Sequence, residues 1–116
     1  MLFDARITQT DPWVVVRIIG ELDLAAVPST RSVLQGAASS LPGSDGLVLD
    51  LRQVDFCDSA GLGVLLGGVR RARNVGLPCV AVCGDGRLRD LLALTGLDLV
   101  MDVVDAPPEG VEDAGG

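Results

Sequence analysis

Asp58 and Ser59 are the residues of this chain whose types and spacing most invite a chemical reading. They open the run Asp58-Ser59-Ala60-Gly61-Leu62-Gly63, shortly after the apolar stretch Leu47 to Leu51. Both are good helix N-caps, and a helix needs only one. If Asp58 takes that role, the Ser59 hydroxyl is left near solvent at the positive end of a helix. Otherwise Ser59 is a plain cap. Gly61 and Gly63 leave the first turn with little side-chain cover, so the backbone of a partner could come close. The 116-residue chain has no His and no Lys. That removes the commonest metal ligand, the commonest general base and any Schiff-base lysine. No nucleophile–base pair is legible, so the chain is read as a binding protein and not an enzyme.

The other reactive residues read as structure. Cys57, Cys79 and Cys83 are odd in number and lack paired spacing, which suits a reducing compartment better than a disulfide framework. Cys79 and Cys83 would lie about 13 Å apart along one strand, too far to share a metal. No metal and no cofactor is expected. Gly61, Gly63 and Gly67 are spaced G-x-G-x-x-x-G inside a helical leucine pattern, not as a dinucleotide fingerprint. Arg70, Arg71 and Arg73 crowd a helix C-terminus, where cations suit the dipole.

A formal net charge of −7 with no basic stripe argues against nucleic acid and anionic membranes, and for partners with a basic face. No apolar run of about 18 residues occurs, so no membrane span is expected. The first ten residues alternate like a strand and lack a charged leader region, so a signal peptide is not expected. A cytoplasmic monomer is the expectation.

The elements that must position Ser59 follow from periodicity. Leu2 to Thr8 and Trp13 to Ile19 read as strands of an antiparallel hairpin around Thr10-Asp11-Pro12. Gly20-Glu21-Leu22-Asp23 should break the second strand. A helix follows, with Pro28 in its first turn and Val27, Leu34, Ala37, Ala38 and Leu41 as its apolar stripe. Leu47 to Leu51 is a short buried strand, joined by a loop to a helix over Ser59 to Asn74 carrying Leu62, Leu65, Leu66 and Val69. Leu77 to Cys83, a helix over Leu88 to Thr95 and a strand over Leu99 to Val104 complete the order β-β-α-β-α-β-α-β. The fold class is α/β: one domain over 1–105, with a mixed, mostly parallel sheet of about five strands and helices packed on it. Residues 106–116, acidic and rich in Pro and Gly, read as a flexible tail.

The run Asp58 to Gly63 after a strand resembles the signature of the STAS family (sulfate transporter and anti-sigma factor antagonist). Gly20-Glu21-Leu22-Asp23 and Thr95-Gly96-Leu97 resemble its other recurrent elements, in order and at fitting spacing over roughly residues 1–105. Two departures stand out. The family's fourth helix is missing, since Pro107, Pro108 and the glycines cannot sustain one. Cys57 also stands where an aliphatic residue is more usual.

The resemblance implies an anti-sigma factor antagonist. Unphosphorylated, such a protein binds an anti-sigma factor and frees its sigma factor. The anti-sigma factor is also a kinase, whose phosphorylation of the serine matching Ser59 ends the interaction, and a serine phosphatase resets it. The expected partner surface joins Glu21, Asp23 and Leu24 to Asp58, Ser59, Ala60, Gly61, Leu62 and Gly63. The alternative is a cytosolic STAS-type subunit of a membrane transporter complex, in which Ser59 is merely structural.

Overall fold

A computed structural model describes residues 3–112. The elements are β1 (Asp4–Gln9), β2 (Val14–Leu22), α1 (Val27–Ala38), β3 (Leu47–Cys57), α2 (Ser59–Asn74), β4 (Cys79–Val82), α3 (Arg87–Leu94) and β5 (Asp102–Val104). Short 3-10 turns over Leu24–Ala26 and Leu97–Leu99 precede α1 and β5. The five strands lie in the spatial order β1-β2-β3-β4-β5. The hairpin β1–β2 is antiparallel and every later pair is parallel.

Sequential order with parallel neighbours has a consequence for the layers. Strand–helix–strand crossovers are as a rule right-handed, so helices reached by stepping steadily in one direction collect on one face. One face of the sheet, with Val14, Val16, Ile18, Leu47, Leu49, Leu51 and Ala81, accordingly shares a core with Leu34, Leu62, Leu65, Val69 and Leu92 from the helices. The opposite face carries a smaller cluster of Val15, Val48, Val80 and Val82.

That second face is covered by the segment expected to be a loose tail. Trp13 Nε1 donates to the Glu109 carbonyl at 3.2 Å. Gln9 donates to the Gly110 carbonyl and accepts from the Glu112 N–H, both at 2.8 Å. Val111 packs on the valine cluster. For residues 106–112 the flexible-tail expectation is therefore corrected: one amide side chain holds the segment much as a neighbouring strand would. Residues 113–116, and the Leu2 start expected for the first strand, lie outside the described residues.

Two further expectations change. Gly20 does not end β2: its φ of 94° makes an irregularity that the strand survives, running on to Leu22. Nor does β3 stop at Leu51. It continues to Cys57, pairing Glu21 with Phe56 and Leu22 with Cys57. The polar residues Arg52, Gln53 and Asp55 suggested a loop because this part of the strand projects past the core and is exposed.

Asp50 is buried on the second face, between Arg17 and Arg52. Arg52 grips it with a fork, Nε to Oδ1 at 3.0 Å and Nη2 to Oδ2 at 2.8 Å. Burial pushes the Asp50 carboxyl up, but the hydrogen bonds of Arg52 and the charges of Arg52 and Arg17 outweigh it, leaving it below its ordinary value. A carboxyl depressed in the folded state stabilises above its unfolded pKa, and that stability is lost as pH falls through the folded pKa. Asp50→Asn should cost about 2 kcal/mol at neutral pH and flatten the loss of stability below about pH 4. Chemical denaturation at neutral and acid pH checks this; an unchanged acid dependence in the variant would rule the triad out as its source.

Candidate functional site

The site is built where β2 and β3 end side by side. Each strand delivers an aspartate that caps the structure after it. Asp23 accepts the Ala26 N–H through Oδ1 at 3.2 Å, closing the 3-10 turn. Asp58 caps α2 by accepting the Gly61 N–H through Oδ1 at 2.9 Å. Its other oxygen reaches across to the Leu24 N–H at 3.2 Å, and its own N–H donates to the Leu22 carbonyl at 3.3 Å. One residue thus fastens the turn after β2 to the start of α2.

With Asp58 as cap, Ser59 is the first helical residue and is exposed. Its hydroxyl makes no hydrogen bond to another described residue. The N–H groups of Ser59 and Ala60, in the first turn, have no acceptor within the helix. A negatively charged group on Ser59 would therefore meet free donors and the positive helix end. Both Asp58 oxygens accept backbone N–H groups, which holds the carboxylate in its capping position. Cys57 lies just beneath; burial and then the Asp58 charge push its thiol up to about 11, so it stays protonated at neutral pH. The arrangement leaves an exposed hydroxyl at the head of α2.

Glu21, Asp23, Leu24, Asp58, Ser59 and Ala60 lie together where the neighbouring parallel strands β2 and β3 end. Gly61 and Leu62 do not face outward. Both are buried, and a Cβ on Gly61 would sit 2.2 Å from the Leu22 carbonyl oxygen. The bare backbone of Gly61 serves the close approach of α2 to β2, whereas Gly63 has open space above it.

Sequence reasoning missed Phe56. Paired with Glu21 at the sheet edge, it is 47% exposed, and Leu24 beyond the turn is 71% exposed. The rim therefore combines two apolar side chains with the carboxylates of Glu21, Asp23 and Asp55. A crevice of about 390 Å³ opens beside Phe56, lined by Asp55, Asp85, Arg87, Leu88 and Leu91 among others. The one signal available was the placing of Phe56 within a polar run, where an aromatic has no core to enter. Among the described residues, no group of three or more His, Cys, Asp or Glu is placed to hold a metal ion.

The chain is 30% identical over 112 residues to the anti-sigma-B factor antagonist of Bacillus subtilis (strain 168), spanning 97% of this chain and 100% of that protein. Its fold is similar to that of an anti-sigma factor antagonist from Mycobacterium paratuberculosis, with a TM-score of 0.78 at 23% identity over 90% of this chain and 87% of that one. The phosphorylated form of the Bacillus cell fate determinant SpoIIAA gives a TM-score of 0.64 at 24% identity, covering 89% and 91%. The STAS domain model matches residues 4–109, a span that holds both aspartate-capped motifs and the whole sheet, and the chain belongs to the STAS domain family.

Proposed function

We propose that this protein is an anti-sigma factor antagonist, active in the cytoplasm when unmodified and switched off by phosphorylation of Ser59. The observation that carries the reading is the division of labour at the head of α2. Asp58 does the capping, and Ser59 is left exposed at the helix end beside the Asp23–Leu24 turn. The Bacillus subtilis relative bears the antagonist name, and SpoIIAA has a phosphorylated form. The partner is an anti-sigma factor with serine kinase activity. Its docking face meets the acidic, partly apolar rim of Glu21, Asp23, Leu24 and Phe56, and a serine phosphatase reverses the modification. The chain is the substrate of both enzymes and catalyses nothing.

The direct test is displacement. Unmodified protein added to a preformed complex of sigma factor and cognate anti-sigma factor should release the sigma factor, seen by size-exclusion chromatography. A complex that stays intact with the antagonist in excess would contradict the reading. A second expectation uses Asp23, which is both a cap and a rim charge. Asp23→Asn keeps a capping side chain and removes the charge. It should weaken partner binding roughly tenfold with little change in melting temperature, whereas Asp23→Arg should also lose about 1 kcal/mol of stability with the cap. Titration calorimetry on both variants checks this; wild-type affinity in both would move the interface elsewhere.

A further inference from the structure

At the pole opposite Ser59, the corner where α3 turns toward β5 exposes two leucines that the core does not use. Leu94 is 84% exposed and Leu99 is 86% exposed. Isolated exposed leucines are ordinary, but two at one corner beside a groove are not. Ala93 and Asp98, their immediate neighbours in the chain, line a groove of about 600 Å³ that continues over Asp102, Val103 and Pro108. Nothing in the Ser59 reading draws on these residues. α3 runs back along the sheet from the end near Ser59, so Leu94 lies at the far end of the molecule.

Charge and backbone bonding decide what fits there. Around the corner Asp90, Asp98 and Asp102 are exposed and form no ion pair with another described residue. Arg89 is spent internally on Asp105 at 2.7 Å, the Cys83 carbonyl at 3.0 Å and the Val103 carbonyl at 3.3 Å. The last contact matters for the edge of the sheet. The Val104 carbonyl faces β4, accepting from Cys83 N–H, so the Val103 carbonyl points away from the sheet and Arg89 occupies it. An added strand would find that acceptor taken. A second copy of this chain would bring the same acidic rim against itself on a protein of net charge −7. An anionic membrane would be repelled likewise.

We propose that the Leu94–Leu99 corner docks a cationic amphipathic helix of a second protein. Aliphatic residues of that helix would cover the two leucines, and its Lys or Arg residues would face Asp90, Asp98 and Asp102. Arg70, Arg71 and Arg73 lie at the same pole on α2, which packs on α1, β3 and β4. They would turn the cationic side of the docked helix toward β5. Because the site is remote from Ser59, occupancy should be indifferent to the state of that residue.

The test uses the full chain and a fluorescein-labelled designed helix of leucine and lysine, followed by anisotropy at low salt. A leucine–glutamate version serves as control. The lysine helix should bind and the glutamate helix should not. Leu94→Ser/Leu99→Ser should weaken binding roughly tenfold or more, Asp98→Asn/Asp102→Asn should weaken it severalfold, and Ser59→Asp should leave it unchanged. Both leucines are exposed, so the leucine variant should melt like wild type. The proposal is overturned if the leucine variant binds as well as wild type. It is equally overturned if the same leucines drive self-association in sedimentation velocity or recruitment to phosphatidylglycerol vesicles. Failure here leaves displacement of a sigma factor untouched, and the reverse also holds.

Discussion

Phosphorylating Ser59 should lower affinity for the anti-sigma factor by on the order of a hundredfold or more, while the melting temperature moves by only a few degrees. The two effects differ because the phosphate sits in water in one case and under a partner in the other. In the free protein a phosphoserine adds roughly −1.5 to −2 charges at a helix end whose first N–H groups are unpaired. That placement typically gains about 0.3–1 kcal/mol. Asp58, one residue away and held by the Gly61 and Leu24 N–H groups, opposes it, and the Asp23 carboxylate at the adjoining turn adds to the opposition. The sum is small. Under a partner packed on Ser59, Ala60 and Gly63, the dianion must be desolvated or matched with a cation. Ser59→Ala should bind and resist switching; Ser59→Asp should bind poorly. A large fall in melting temperature on phosphorylation, with binding lost through unfolding, would contradict this account.

Gly61→Ala should destabilise the fold by about 2–3 kcal/mol, and Gly63→Ala should stabilise it by up to about 1 kcal/mol. The two glycines are two residues apart in one helical turn, yet they face opposite ways. A Cβ on Gly61 would meet the Leu22 carbonyl oxygen at 2.2 Å and both Cys57 Sγ and Leu22 Cγ at 2.9 Å. The carbonyl cannot yield freely, because it accepts the Asp58 N–H. Relief requires lifting the head of α2 off β2, which would strain the Asp58 bridge to Leu24 as well. At Gly63 a Cβ meets nothing within 4 Å, so alanine simply removes backbone freedom from the unfolded chain. If partner contact reaches Gly63, the alanine variant will be more stable and bind less well. Urea titrations decide the stability half. Equal midpoints for the two variants would mean that α2 does not approach β2 as closely as described.

Much of this was legible in the residues, and the parts that were not share a cause. Apolar periodicity is local, so the hairpin, the helices and the order of elements followed from it. Asp58 and Ser59 were both legible as caps from their type, and the fold gives the role to Asp58. The second hydrogen bond of Asp58, to Leu24, joins residues 34 apart in the chain, and no local pattern announces it. The same holds for Gln9 and Trp13, which reach across the sheet to hold residues 109–112. Composition marked that segment as unable to form a helix, correctly, but said nothing of side chains that could fasten it. The extension of β3 to Cys57 was hidden because an exposed strand has loop-like polarity. Gly61 was misjudged for a related reason: a glycine that admits a partner and one that admits its own sheet look alike until the fold is known.

If Ser59 is the residue on which a kinase partner acts, incubating the protein with a cognate anti-sigma factor and ATP should add one phosphate per chain, mapped by mass spectrometry to Ser59 and absent from Ser59→Ala. Phosphate on another residue, or undiminished incorporation into Ser59→Ala, would contradict that role.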